Sequence, residues 1–377
     1  MSFFADILSS LFDRKLGLAN RVEDDNKPID ALCQALLSSR GDVSGMSLAQ
    51  LILDRYADLD EAGKLAWFSL LANDMDVPAE VAIAAINAYQ DTPSAKNYEA
   101  MTARVEPARL QLIRRLNQTH DATAKLVAMR EDLIRFLPEH HDLGKLNVDF
   151  KHLFASWFNR GFLVLRPINW SSPAHILEKI ITYESVHEIE NWDDLRRRLQ
   201  PEDRRCFAFF HPAMPDEPLI FVEVALTKGT PNSIQSVLLE NRDAMAAEKA
   251  DTAAFYSISN CQAGLAGISF GNSLIKTVVQ HLLRELPQIR NFVTLSPIPG
   301  LVKWLRETGN FDADATAETH RHLAAYYLLN AKHHNGQPRD PVARFHLNNG
   351  ALVGAVHANA DKSINGMAQS CGVMVNY

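Results

Sequence analysis

One serine stands between an apolar run and two prolines in the segment TLSPIPG, residues 294–300, and it is a candidate for a positioned hydroxyl group. In a strand, Thr294 and Ser296 lie on the same face. Pro297 and Pro299 stiffen the chain just beyond them. A Ser–Pro pair also begins many helices, so the residues alone leave two roles for Ser296: a helix cap, or a hydroxyl that meets a substrate.

A glycine-rich loop, GLAGISFGN at 264–272, is the second candidate site. Glycines let a backbone approach a ligand closely, and the N–H groups at the start of a following helix bind phosphate oxygens. The spacing matches neither a Rossmann nor a P-loop motif, and an ordinary turn explains the glycines equally well. The pattern GxSxG around Ser269 resembles a hydrolase nucleophile elbow. That elbow must follow a strand directly, and NCQAGLA intervenes, so we disfavour a hydrolase.

His346, in ARFHLNNG, is the histidine with the most suggestive context. The pattern predicts two strands over 343–358 joined at Asn348–Gly350, with His346 inside the first strand. An imidazole titrates near neutral pH and serves as an acid or base, although a structural role is the commoner one for a lone histidine.

The other histidines do not form a recognisable metal site. A pair two residues apart in a helix points in different directions, and HExxH is absent. We therefore predict structural or solvated roles, and no metal, for His140 and His141 beside Asp142, and for His320 and His322.

Composition excludes several classes of protein. The chain has 377 residues, 47% of them hydrophobic, and a net charge of −7, which argues against general nucleic-acid binding. No apolar run reaches the roughly 20 residues that cross a bilayer. The first residues, MSFFADILSSLFDRK, do not resemble a signal or transit peptide. Four dispersed cysteines without a CxxC pair fit a reducing compartment. We therefore expect a cytoplasmic protein that binds neither membrane nor nucleic acid.

Hydrophobic periodicity divides the chain into two parts. Up to about residue 158, apolar residues recur at helical spacing, so 1–158 is predicted to be an all-α domain. From 159 to 377 short apolar runs alternate with helical segments, which predicts a mixed α/β domain. Its predicted elements are a strand at 162–168, a hairpin at 206–227, a helix at 232–249, a strand at 254–259, a helix after the glycine loop and a strand at 291–296.

Several ordered blocks of the second part resemble the malonyl-CoA decarboxylase family. These blocks are FYSIS (255–259), GLAGISFGNSLIK (264–276), LSPIPG (295–300), FHLNNGA (345–351) and SCGVMVNY (370–377), and EPLIFVEVALT (217–227) also fits.

The resemblance implies a catalytic domain of the Gcn5-related N-acetyltransferase type, preceded by a helical domain that assembles the chain into a homo-tetramer, a dimer of dimers. Ser296 and His346 match the catalytic serine and histidine of the family. The residues that match its malonyl-CoA-binding positions are Ser257, Gly264, Ala266, Gly267, Ile268, Ser269, Phe270, Gly271 and Asn272. Members act without a metal or an organic cofactor, since CoA is part of the substrate. Animal members carry a glutamate at the position of Ser269.

The decarboxylation that the resemblance implies needs few catalytic groups. When a malonyl thioester loses CO₂, the electrons left behind pass into the adjacent carbonyl as an enolate, so the substrate supplies its own electron sink. The protein must orient the carboxylate, stabilise the enolate oxygen and return a proton to carbon. Two other functions fit the same residues: a CoA-dependent acyltransferase on the same fold, and a non-catalytic regulator that binds malonyl-CoA.

Overall fold

The computed structural model describes residues 27–38, 42–240, 242–268 and 274–377. These residues form two compact units. One unit contains the described residues up to Trp157 together with Ala263–Ile268, and the other contains Phe158–Gln262 and the described residues from Leu274 to Tyr377.

The first unit is helical, as predicted from its periodicity. Its helices are α1 (Ile29–Ser38), α2 (Asp42–Ala57), α3 (Glu61–Ser69), α4 (Ala79–Asp91), α5 (Ala95–Val105), α6 (Ala108–Leu116), α7 (Ala122–Phe136) and α8 (Gly144–Trp157). Local signals begin several of them: Asp60 caps α3 by accepting a hydrogen bond from the N–H of Gly63, and Pro107 precedes α6. The core of this unit includes Leu36, Phe68, Leu126 and Phe150, all buried.

The second unit contains a five-stranded mixed sheet, which confirms the predicted α/β class. The strands are β1 (Val164–Ile168), β2 (Arg204–His211), β3 (Met214–Thr227), β4 (Thr252–Asn260) and β5 (Asn291–Thr294), in that spatial order. All neighbours are antiparallel except β4 and β5, which are parallel. The predicted strand near 162–168, the hairpin over 206–227 and the strands near 254 and 291 are therefore confirmed.

Helices cover both faces of this sheet, and the sequence of β2 reflects that. Phe207 and Phe209 pack toward α12 (Leu274–Glu285), whereas Cys206, Ala208 and Phe210 pack with α9 (Ala174–Tyr183) and α10 (Trp192–Leu199). A strand buried on both faces reads as a continuous apolar run, which is what CFAFF shows.

A second, smaller sheet follows. It has three short strands in the order β6 (Ser296–Pro297), β8 (Met374–Val375) and β7 (Val356–His357), all antiparallel. Its helices are α13 (Leu301–Glu307), α14 (Ala317–Asn330), α15 (Pro341–Asn348) and α16 (Ile364–Ser370). The core here includes Ile298, Leu301, Tyr327 and Val373.

The predicted helix over 232–249 is wrong. A short helix, α11 (Ile234–Leu238), stops at Leu239, and only Ala247–Lys249 forms a further 3₁₀ turn. Asp203 explains the interruption: it accepts a hydrogen bond from Arg242 at 2.8 Å and one from the main-chain N–H of Met245 at 3.1 Å. The Met245 N–H is therefore unavailable to a helix, since tertiary contacts override the helical propensity of this segment.

The predicted strand pair over 343–358 is also wrong, so His346 lies on a helix. Asp340 and Pro341 are a helix start: the Asp340 carboxylate accepts hydrogen bonds from the N–H groups of Val342 and Ala343. The segment at 348–350 is the end of that helix rather than a hairpin turn, and Gly350 beyond it has φ +84°. Only Val356–His357 forms a strand in the second half of the segment.

Candidate functional site

The site lies where two neighbouring strands separate. β4 and β5 pair from Thr252 opposite Asn291 to Phe255 opposite Thr294. Beyond Phe255, β4 continues beside β3, while the chain after Thr294 enters the second sheet at Ser296. A hydrogen bond from the N–H of Leu295 to the carbonyl oxygen of Phe255, 2.8 Å long, lies at the point where the two strands separate. This separation leaves space beside Thr294.

Ser296 and His346 lie close together where β4 and β5 separate. Ser296 Oγ lies 3.3 Å from His346 Nε2, and the two residues are only 6% and 3% exposed. Ser296 belongs to β6, and the next helix, α13, begins at Leu301, so Ser296 does not cap a helix. The separation is slightly long for a hydrogen bond.

Asp340 connects the two elements that carry this pair. One carboxylate oxygen accepts from Val342 and Ala343 at the start of α15, at 3.0 and 2.9 Å, and the other accepts from the N–H of Gly300 at 3.1 Å. Gly300 ends the proline-containing turn that follows Ser296. A side chain at 300 does not fit, since a Cβ there would lie 2.2 Å from the hydroxyl of Tyr327.

The main-chain N–H, the carbonyl and the hydroxyl oxygen of Thr294 all form hydrogen bonds with Asn376 or Tyr377. Its N–H donates to the carbonyl of Tyr377 at 3.0 Å, and its carbonyl accepts from the Asn376 side-chain amide at 2.8 Å. Its hydroxyl oxygen accepts from the N–H of Tyr377 at 3.1 Å and from the hydroxyl of Ser296 at 2.8 Å. The Tyr377 ring stacks on the His346 ring with centroids 4.5 Å apart. The 376–377 segment therefore positions both sides of the site.

A small cavity of about 100 Å³ adjoins these groups. It has room for an acyl group of a few carbon atoms but not for a nucleotide. The residues that line it are Phe255, Ile275, Lys276, Phe292, Val293, Thr294, His346, Asn349, Ala351 and Tyr377. Most of these side chains are apolar, and Lys276 is the one lining residue, among those the structure describes, with a permanent positive charge.

Burial controls the charge of the site. Because His346 is removed from water, its pKa is lowered from 6.5 to about 4, so the ring is neutral at pH 7. Burial, with Asp340 and Tyr327 nearby, raises the pKa of the Tyr377 phenol, which stays protonated. The resting site therefore offers neutral hydrogen-bonding groups in an apolar cavity.

Other predicted site residues lie elsewhere or outside the described residues. Ser257 is buried on β4, where its hydroxyl donates to the Glu184 carboxylate at 2.7 Å and does not line the cavity. Ser269, which is the serine of the GxSxG pattern, lies outside the described residues, as do Phe270, Gly271 and Asn272.

The described part of the glycine loop belongs to the helical unit. Gly264, Ala266, Gly267 and Ile268 follow a 3₁₀ turn, and Arg130 on α7 donates to the carbonyls of Gly264 and Ala266 at 2.5 and 2.8 Å. A Cβ at Gly264 would lie 1.9 Å from the carbonyl oxygen of Val127. This packing gives Gly264 a structural reason to be glycine, and the ligand-binding role of the loop stays a prediction.

Thr294, Lys276 and Tyr377 line the cavity but are not among the predicted site residues. Thr294 was noted only for sharing the strand face of Ser296. In the sequence, Lys276 is predicted to lie on the polar face of the helix after the glycine loop, and Tyr377 is part of a resembling block. The alternation of side-chain faces along 293–296 was the available signal for Thr294. The residues around Tyr377, in contrast, give no sign that its ring stacks on His346, 31 positions earlier in the chain.

Within the described ranges, no three His, Cys, Asp or Glu side chains come close enough to hold a metal ion. No described helix is long and apolar enough to cross a membrane. The four cysteines, all of which are described, are buried and free of disulfides.

The chain is similar to proteins of one family along most of its length. The model of the malonyl-CoA decarboxylase C-terminal domain matches residues 161–321 and 307–377, and that of the malonyl-CoA decarboxylase N-terminal domain matches 77–158. Mitochondrial malonyl-CoA decarboxylase from Anser anser anser is 38% identical over 71% of this chain and 62% of its own length. The protein of that name from Rattus norvegicus is 36% identical over 67% of this chain and 61% of its own length. The chain thus spans about three fifths of these relatives.

Solved structures agree with the sequence comparison. Malonyl-CoA decarboxylase from Rhodopseudomonas palustris is 50% identical, with a TM-score of 0.86 over 93% of this chain and 92% of the other. That from Agrobacterium vitis is 47% identical, with a TM-score of 0.85 over 93% and 92%. Together with the two domain matches, these likenesses show that the chain belongs to the malonyl-CoA decarboxylase family.

Proposed function

We propose that this protein is a carboxy-lyase that converts malonyl-CoA to acetyl-CoA and CO₂, using Ser296 and His346. The observation that carries the proposal is the contact between these two side chains, 3.3 Å apart, beside a small apolar cavity. Family membership supplies the substrate, and the cavity suits its acyl end.

The apolar lining favours the bond-breaking step. A carboxylate loses its charge when it leaves as CO₂, so an environment that solvates the carboxylate poorly favours the neutral product. The electron pair of the broken bond passes into the thioester as an enolate. The hydrogen-bonded group that contains Ser296 and His346 stabilises the charge that develops at this stage.

The final step needs a proton. The net reaction consumes one proton, which ends on the α-carbon of acetyl-CoA. His346 is neutral in the free protein because burial lowers its pKa to about 4. An anionic substrate in the cavity favours the protonated ring, so proton uptake from solvent accompanies binding. The cationic imidazole is then the source of the proton that the α-carbon receives, and no cofactor or metal takes part.

Other features complete the proposal. The proposed substrate-binding positions are Gly264, Ala266, Gly267, Ile268, Ser269, Phe270, Gly271 and Asn272. Ser257, in contrast, has a structural role through its hydrogen bond to Glu184. The chain works as a homo-tetramer in the cytoplasm, although the curated relatives carry mitochondrial names. A CoA-dependent acyltransferase and a malonyl-CoA-binding regulator remain the competing functions.

The test is incubation of the purified protein with malonyl-CoA, with products followed by mass. We expect acetyl-CoA and CO₂ without any added acceptor. His346→Ala should lose roughly 10²–10⁴-fold in rate, the usual scale for a lost general acid. Ser296→Ala should lower kcat more than it weakens CoA binding.

The matched control is His320→Ala, because His320 is also a buried histidine of this unit but bonds to the carbonyl of Asp312. Its turnover should equal that of the wild type. Release of CoA only when an amine is added would indicate the acyltransferase. Tight binding of malonyl-CoA without any product would indicate the regulator.

A further inference from the structure

The arrangement of hydrogen bonds around Thr294 determines which hydroxyl faces the cavity. The Thr294 oxygen accepts two hydrogen bonds, from the hydroxyl of Ser296 at 2.8 Å and from the N–H of Tyr377 at 3.1 Å. A hydroxyl oxygen has two lone pairs, so both are in use. The hydrogen of Thr294 itself finds no acceptor among the described residues, and Thr294 lines the cavity.

Ser296 is connected to this cavity through its contacts with Thr294 and His346. It is not among the described residues that line the space, whereas Thr294 and His346 are. Having given its hydrogen to Thr294, the Ser296 oxygen must accept from its other neighbour, Nε2 of His346, at 3.3 Å. The bonds then run in a single direction: His346 to Ser296, Ser296 to Thr294, and Thr294 into the cavity. Each bond in such a chain polarises the next.

Thr294 is also firmly held by its main chain. Its main-chain N–H and carbonyl are both bonded to the 376–377 segment, at 3.0 and 2.8 Å. It is 6% exposed, so the position of its oxygen is set by the sheet rather than by a free rotamer. A donor held in this way costs little reorganisation when charge develops near it.

We propose that Thr294 is a catalytic residue that donates a proton to the substrate. It is the last of three hydrogen-bonded groups, in the order His346, Ser296 and Thr294. This rests on the proposed decarboxylase function. After CO₂ has left, the electron pair of the enolate takes the Thr294 hydrogen at the α-carbon. The Thr294 oxygen takes the Ser296 hydrogen, and Ser296 takes the Nε2 hydrogen of the cationic His346. The ring ends neutral, and solvent restores its proton.

The kinetic test compares Thr294→Val with Thr294→Ser. Valine keeps the shape but has no hydroxyl, so kcat should fall at least about 100-fold, as for other lost proton donors, with a smaller change in KM. Serine keeps the hydroxyl and should recover most of the rate. In Thr294→Val/Ser296→Ala, the loss should not exceed that of the worse single variant, since the groups act as one unit. Wild-type kcat in Thr294→Val, or losses that multiply in the double variant, would overturn the proposal.

Thr252→Val is the control for stability. Thr252 is a fully buried threonine near the start of β4, and its hydroxyl donates to Asp251. The same substitution there should lower the melting temperature without lowering kcat. If Thr252→Val lowered kcat as much as Thr294→Val, the effect at Thr294 would be structural and the proposal would fail.

A measurement on the unsubstituted protein separates this proposal from the proposed function. The ¹⁵N chemical shifts of His346 report which ring nitrogen carries the hydrogen. At pH 7 we expect it on Nε2, donating to Ser296. A hydrogen on Nδ1 would mean that Ser296 donates to the ring, which reverses the chain and overturns the proposal. This readout needs no turnover, so it stands even if the protein does not act on malonyl-CoA.

Discussion

At the scale of single residues, the buried histidine makes stability depend on pH. The pKa of His346 is about 4 in the folded protein and 6.5 in the unfolded chain, so the unfolded chain binds the proton first as pH falls. The contribution is therefore fully present above pH 6.5 and is lost as the pH falls toward 4. Its full size is about 3 kcal/mol. We expect His346→Asn to lose less stability than the wild type between pH 7 and pH 4, as measured by urea unfolding. Parallel losses in the two proteins would contradict this.

Ser257 illustrates a residue whose predicted role and observed contacts differ. Its hydroxyl is engaged with Glu184, which also accepts from the N–H groups of Val186 and His187, each at 2.8 Å. We expect Ser257→Ala to cost about 1–2 kcal/mol of stability, because a buried carboxylate loses a donor. KM for malonyl-CoA should change little. A large rise in KM with unchanged melting temperature would instead support Ser257 as a pocket residue.

At the scale of elements, Asp340 sets how the turn after Ser296 meets the helix that carries His346. In Asp340→Asn, the amide oxygen still accepts from the start of α15, but its NH₂ group faces the N–H of Gly300, and two donors repel. We expect kcat to fall roughly tenfold, with CoA affinity unchanged, since a small misplacement of reacting groups is costly. Asp60→Asn is the control: Asp60 is also a helix cap, on α3, and asparagine caps as well as aspartate. Full activity in Asp340→Asn would show that this tether does not set the Ser296–His346 distance.

The elements differ in how well sequence predicted them. Strands β2 and β3 were predictable because apolar, aromatic runs flank a proline-containing turn. The helix at Pro341–Asn348 was missed, although Asp340–Pro341 is a helix start, because a turn-like Asn-Asn-Gly favoured a hairpin. The segment 239–246 was missed for another reason: its contacts with Asp203 are made by a residue about forty positions away. Of the site, Ser296 and His346 were predictable from resembling blocks, but their meeting depends on contacts between distant segments.

At the scale of the whole molecule, assembly is the main open prediction. The helical unit is expected to join four chains, so the mass in solution should be four times 42.1 kDa. Ile83 and Ile86 lie one turn apart on α4 and are 58% and 51% exposed, so this helix carries an exposed apolar pair. We expect Ile83→Glu/Ile86→Glu to reduce the mass measured by light scattering. An unchanged tetramer would place the contact on another surface, and a monomeric wild type would contradict the assembly itself.

The bonds between Thr294 and Tyr377 have a consequence for slow motions. Each residue uses its main-chain N–H to bond the other, one through a carbonyl and one through a hydroxyl. Neither amide can reach water while the other bond is intact, because both bonds belong to the same pairing of Thr294 with Tyr377. Hydrogen exchange at the two amides should therefore proceed at one shared rate, that of local opening of this segment. Each opening event also separates the Tyr377 ring from the His346 ring, so the exchange rate measures how often the site loses this stacked arrangement.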